Sequence, residues 1–113
     1  MRNMSFSMTT EQVRNKTKTV TRRFGWWFLV PGQRLRAVEK SRGLKKGEKV
    51  KSICQIEVVS VHKEQVKDIC FKKNDIKREG FPGMCLYDFM TMLCKLGHCD
   101  PDCDVNRIEF KYI

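Results

Sequence analysis

Near the start of the chain Met4, Phe6 and Met8 alternate with Ser5, Ser7 and Thr9. A period of two over so short a run predicts a strand with one buried face. Thr9-Thr10-Glu11-Gln12 follows, with a hydroxyl at the candidate cap and Gln12 three residues after Thr9, the spacing of a capping box. The helix it opens must be brief, because Thr17, Thr19, Val20 and Thr21 are β-branched and disfavour its continuation. Trp26 to Val30 is apolar throughout. It reads as a strand buried on both faces or lying near an edge, with Gly25 breaking the chain before it and Pro31-Gly32 turning the chain after it. Leu35 to Val38 resumes as a strand with Arg34 and Arg36 outward, and Ser41 to Lys49 is a polar loop. Val50 to His62 is the longest strand candidate, rich in Ile and Val. His62, beside Lys63 at its end, reads as structural.

Val66 to Lys77 permits a helical turn and a loop, and Gly80-Phe81-Pro82-Gly83 is a break. Leu86, Phe89, Met90, Leu93 and Cys94 recur at helical spacing and form the clearest helix in the chain, with Gly97 as its stop. An acidic loop over 98–104 leads to a last strand, in which Ile108, Phe110 and Tyr112 alternate with Arg107, Glu109 and Lys111. About five strands with a short early helix and a longer late one predict a mainly β, α+β fold. So short a chain cannot leave long apolar strands unpaired, so the expected architecture is a small closed or nearly closed barrel formed by one domain over 1–113.

Composition narrows the class. The 113 residues are 41% hydrophobic and 32% charged, the balance of a globular protein. No apolar run approaches the ~18 residues of a membrane span, and the first residues lack a secretory core. The expectation is a cytoplasmic protein whose six cysteines stay as thiols. The net charge of +10 is unevenly spread: residues 14–51 hold thirteen Lys and Arg against two Glu, while residues 52–113 hold nine against ten acids. A basic third of the chain points to a face for a polyanion.

That third opens on Lys16-Thr17-Lys18-Thr19-Val20-Thr21-Arg22-Arg23, four cations and three hydroxyls around one apolar side chain. A core strand would not carry these charges, which need water or an anionic partner. Lys, Arg and Thr are the residue types that contact phosphate. Candidate nucleic-acid contacts are Lys16, Thr19, Arg22, Arg23, Arg36, Lys45 and Lys46, with Trp26 or Trp27 as a stacking face for a base.

With Asn15 in front of it, this string resembles the early motif of ASCH-domain proteins. Pro31-Gly32-Gln33 resembles the family's turn before a strand, with Gln33 where Asp is usual. Arg78-Glu79-Gly80-Phe81 resembles its Glu-Gly-Phe element and Arg107-Ile108-Glu109-Phe110 its terminal strand. The four matches are in order and span nearly the whole chain. They are most like those of small stand-alone ASCH proteins, many of them encoded by phages and prophages.

The resemblance implies a PUA-like β-barrel with a cleft beside the first helix, and binding of RNA, DNA or a nucleoside ligand. It also implies an alternative, because one bacterial branch is an amidohydrolase that removes the acetyl group from the exocyclic amine of modified cytidine. That branch uses a lysine, a threonine three residues later and a downstream glutamate, which fall on Lys18, Thr21 and Glu79. Thr21 would be the nucleophile, Lys18 the base and Glu79 the group that orients the amine. Residues three apart on a straight strand face opposite ways. The two can therefore cooperate only if the backbone turns between Lys18 and Thr21. Another reading is a phage-type protein that binds an acidic host protein through the same basic face. Cys94, His98, Cys99 and Cys103 place four candidate ligands close together, but adjacent His98 and Cys99 rarely reach one metal. They read as core or loop thiols, and neither metal nor cofactor is expected.

Overall fold

The computed structural model describes every residue from Met1 to Ile113. Five strands form one mixed sheet: β1 (Asn3–Ser5), β2 (Val20–Arg23), β3 (Arg34–Val38), β4 (Ser52–Gln65) and β5 (Asp104–Tyr112). Their spatial order is β1-β3-β4-β5-β2. β1 runs parallel to β3, and the other pairings are antiparallel. The long β4 and β5 behave as their alternation predicts: Ile56, Val58, Ile108 and Phe110 face inward. Between Val58 and Ser60 the register with β5 shifts, leaving Val59 exposed at a bulge that bends the sheet.

Two apolar cores lie on this frame. One packs Met4, Phe6, Leu35, Ile56 and Phe110 of the sheet region together with Val13. Val13 comes from helix α1 (Thr10–Arg14). The other gathers a 3₁₀ segment (Val66–Phe71), α2 (Asn74–Arg78) and α3 (Leu86–Gly97) around Ile69, Ile76, Phe89 and Leu93, next to Val105 of β5. α3 buries the face that its periodicity marked. No helix is long and apolar enough to cross a membrane.

Several sequence expectations need correction. The α+β, mainly β class holds, but the sheet does not close into a barrel. Its edge strands β1 and β2, of three and four residues, do not pair. The gap is crossed instead by the Arg23 side chain, whose Nη2 donates to the Ser5 carbonyl at 2.7 Å. The first strand ends at Ser5, and Met8 is exposed.

Trp26 to Val30 is a turn, not a strand. Gly25 at φ +135° and Trp26 at φ +60° both leave extended geometry, and only Leu29 of the five residues is fully buried. The early capping box does not form either. Thr9 makes no cap bond, and Gln12 Nε2 donates instead to the Gly80 carbonyl at 3.1 Å. A capping box does form later, between Gln65 and Asp68. At the end of α3 the left-handed residue is His98, with φ +50°. At Gly97 the close neighbour is the Phe24 ring, which would have to shift for a Cβ, built 2.6 Å from it.

Candidate active site

The backbone that delivers the basic motif is turned. Lys16 has φ +65°, and the Thr17 and Lys18 amides both donate to the Gln12 carbonyl, at 2.9 and 3.2 Å. The Thr19 amide donates to the Arg78 carbonyl at 2.8 Å, and strand geometry begins only at Val20. The turn thus precedes Lys18, and the Thr19 carbonyl already accepts from the Phe110 amide of β5 at 2.9 Å. Lys18 and Thr21 open into one cavity of about 280 Å³, which Glu79 also lines. This volume falls at the small end of ligand cavities. α3 supplies an apolar wall through Met92, Leu93 and Leu96.

Lys18 is buried, and its Nζ donates to the Glu79 carbonyl at 2.5 Å and to Glu79 Oε1 at 3.1 Å. Burial pushes the Lys18 ammonium below its ordinary range, and Arg23 and Arg22 push the same way against the pull of Glu79. That pull is shared, because the other oxygen of Glu79 accepts from Arg22 Nη1 at 3.0 Å.

Arg22 is fully enclosed. Its Nε meets Glu64 Oε1 at 2.8 Å and its Nη2 meets Asp75 Oδ2 at 2.6 Å. Glu64 also pairs with Lys72 at 2.8 Å, and Asp75 with Arg107 Nε at 2.7 Å. Burial alone would lower Arg22, but the three carboxylates outweigh it and hold the guanidinium above its usual value. Burial would likewise raise Asp75, yet Arg107 and Arg22 hold its carboxyl down at about 2.

Thr21 is buried, and its Oγ1 accepts from Arg23 Nε at 3.0 Å. The Arg23 guanidinium lies 4.8 Å from the Phe6 ring centroid, and burial lowers its pKa to about 10. A cationic donor aimed at a hydroxyl favours its alkoxide. The site thus holds a hydroxyl with a charged donor, an amine whose cation is disfavoured, and a carboxylate bonded to that amine.

The other residues singled out by sequence separate. Arg22 is an interior ion-pair hub and not a surface contact, because its partners come from β4 and α2. Lys16, Arg36, Lys45 and Lys46 are exposed and lie outside the cavity. Thr19 is half-buried, with Oγ1 accepting from Arg78 Nε at 3.2 Å. Trp26 is half-buried against the sheet core and does not line the cavity. Sequence reasoning missed Asp75, Glu64 and Arg107, which resemble any solvated charge when read along the chain. Gln12, which fixes the turn before Lys18, was mistaken for a cap. At the end of α3 the Cys99 thiol is pushed up to about 12, first by its hydrogen bond to Cys103 and then by burial. No three His, Cys, Asp or Glu side chains are grouped as metal ligands.

No family model and no curated protein matches the chain. Solved structures do. Protein EF3133 from Enterococcus faecalis V583, assigned to DUF984, superposes with a TM-score of 0.69 at 12% identity, over 100% of this chain and 76% of that one. The hypothetical protein PH0355 gives 0.65 at 12% identity, over 99% and 96%. An ASCH domain from Lactobacillus crispatus JV V101 gives 0.54 at 17% identity, over 98% and 78%. The fold is therefore that of ASCH-domain structures, as the motif resemblance implied.

Proposed function

We propose that the cavity takes a cytidine carrying an acyl group on its exocyclic amine and hydrolyses that amide. The observation that supports this is that Lys18, Thr21 and Glu79 line one cavity. Thr21 Oγ attacks the amide carbonyl carbon, and Lys18 Nζ, in the deprotonated form that burial favours, takes the hydroxyl proton. The C–N bond breaks, the exocyclic nitrogen receives that proton as it leaves, and the acyl group remains on Thr21 as an ester. Water then attacks the ester carbon, returning the threonine hydroxyl and a carboxylic acid. Arg23 Nε, already on Thr21 Oγ1, stabilises the oxygen as it loses its proton. Glu79, anchored by Arg22, holds the lysine and faces the leaving amine.

A second reading is nucleic-acid binding without chemistry. It is favoured by the exposed basic loop between β3 and β4, where Arg42, Lys45, Lys46, Lys49 and Lys51 have no acidic partner within 4.0 Å. One experiment separates the two. N4-acetylcytidine is incubated with the wild type, Lys18→Ala and Thr21→Ala, and release of acetate is followed. Hydrolysis by the wild type with a loss of at least about 100-fold in each variant supports the first reading. Equal rates in all three proteins remove it and leave binding alone.

A further inference from the structure

The cavity does not end at its polar floor. Lys18, Thr21 and Glu79 are each 4% exposed or less, but three apolar side chains that line the same cavity are open to solvent: Met8 is 55% exposed, Leu96 53% and Phe24 39%. Met8, Met92 and Leu96 also line a second, open groove against α3, which Asp88, Thr91 and Lys95 complete. The three shared side chains make that groove an extension of the cavity. Phe24 lies at the same end of α3, with its ring against Gly97. Met92 and Leu96 stand one helical turn apart, about 6 Å along the axis, which is the extent of a hexanoyl chain.

The cavity has a second way out, of opposite character. Ser7 lines both the cavity and a groove that also holds Thr10, Lys49 and Lys51. The two carboxylates of that groove are already paired, Glu39 with Arg14 at 2.6 Å and Glu48 with Lys40 at 3.4 Å. Ser7 and Met8, successive residues, thus divide the mouth into a side of hydroxyls and cations and a side of alkyl and thioether groups. An N4-acylcytidine whose amide lies at Thr21 has two halves to place. Its sugar carries hydroxyls, and covering them with Met8, Met92 and Leu96 would leave them without partners, which is costly. Its acyl chain is hydrocarbon and gains from that surface. The polarity of the two exits therefore sends the nucleoside toward Ser7 and the acyl chain along α3. An acetyl group has a single methyl beyond the scissile carbon and covers little of this surface.

We propose that Met8, Met92 and Leu96 form an acyl-chain site, and that the preferred substrate is an N4-acylcytidine with a straight chain of butyryl to hexanoyl length and not the acetyl compound. This rests on the reading of the cavity as an amidohydrolase site and narrows its substrate class. The bonds made and broken are those given above. The Thr21 ester carries the longer chain, cytidine leaves with the hydroxyl proton on its exocyclic nitrogen, and water releases the chain as butyric or hexanoic acid.

The test compares N4-acetyl-, N4-butyryl- and N4-hexanoylcytidine on the full chain, with release of cytidine followed by chromatography. kcat/KM is expected to rise about 3-fold with each methylene covered, and so by at least about 30-fold from acetyl to hexanoyl. Leu96→Gln and Met8→Gln change exposed side chains, and circular dichroism checks that both variants are folded. Each is expected to lower the hexanoyl-to-acetyl ratio by about 3- to 10-fold. A wild-type ratio of one or less, or a ratio that neither variant changes, overturns the acyl-chain site, while cleavage of the acetyl compound keeps the amidohydrolase reading. If none of the three compounds is cleaved, titration calorimetry of the same compounds decides. Hexanoylcytidine bound at least about 10-fold more tightly than acetylcytidine, with that margin lost in Leu96→Gln, keeps the chain site and removes the chemistry. Equal affinities, or no binding, remove both.

Discussion

Arg22 is the residue on which the polar half of the site depends. It contributes no free charge to a ligand. It holds Glu64, Asp75 and Glu79 at 2.8, 2.6 and 3.0 Å from three different nitrogens. The guanidinium fork suits this task, whereas an ammonium is a single point charge. Each carboxylate has a second cation, namely Lys72, Arg107 and Lys18, so the cluster is a chain and not one isolated pair. Removing the hub leaves three acids in the interior with half their partners. Arg22→Met is expected to lower unfolding stability at neutral pH by about 3–5 kcal/mol, measured by urea titration. Arg22→Lys should recover only part of that. A loss below about 1 kcal/mol in Arg22→Met would show that water, not the fold, screens these carboxylates.

At the scale of elements, the site exists because α1 and the end of α2 are locked together. Gln12 reaches the Gly80 carbonyl with its side chain, and its own carbonyl accepts from Thr17 and Lys18. One residue of α1 thereby sets both the turn before Lys18 and the loop that carries Glu79. Gly80 has φ +104°, and a Cβ there would stand 2.9 Å from Gln12 Cγ. Gly80→Ala is expected to cost about 1–3 kcal/mol in urea unfolding and, on the function proposed above, to slow release of acetate from N4-acetylcytidine. Wild-type stability and rate would show that the contact is soft. The long elements were legible in the sequence: β5 and α3 have clean periods of two and 3.6, and little competes with them. The aromatic turn was not, because an apolar run gives no period and the backbone reversal at Trp26 leaves no mark in residue type. Lys18, Thr21 and Glu79 could be named only through the motif resemblance. Arg22 was misread as a surface contact because its partners lie 42 to 57 residues away in the chain. Burial of that kind is decided by topology, not by local pattern.

At the scale of the molecule, the open sheet leaves two cores to be joined, and Asp75 is placed to join them. It sits on α2, whose Ile76 belongs to the helical core, and reaches Arg22 on β2 and Arg107 on β5. Those two arginines are cross-strand partners in the sheet, so one carboxylate ties a helix to two strands. Its pKa in the folded protein is about 2, against 3.8 ordinarily. Between these values the unfolded chain binds more protons than the folded one, so stability rises with pH through that window. The contribution, on the order of 2 kcal/mol, is complete above about pH 4 and is lost as the pH falls toward 2. Protonation of the other acids adds to a net charge already at +10, so self-repulsion grows over the same range and the wild type alone cannot isolate Asp75. Asp75→Asn can. The variant is expected to be less stable than the wild type at neutral pH, and the gap should narrow as the pH is lowered from about 4 to 2, because the wild-type carboxyl is then neutral as well. Urea midpoints of the two proteins across this window measure the gap directly. A gap that stays constant with pH would mean that Asp75 acts through packing and hydrogen bonds alone, and that its charge does not hold the two cores together.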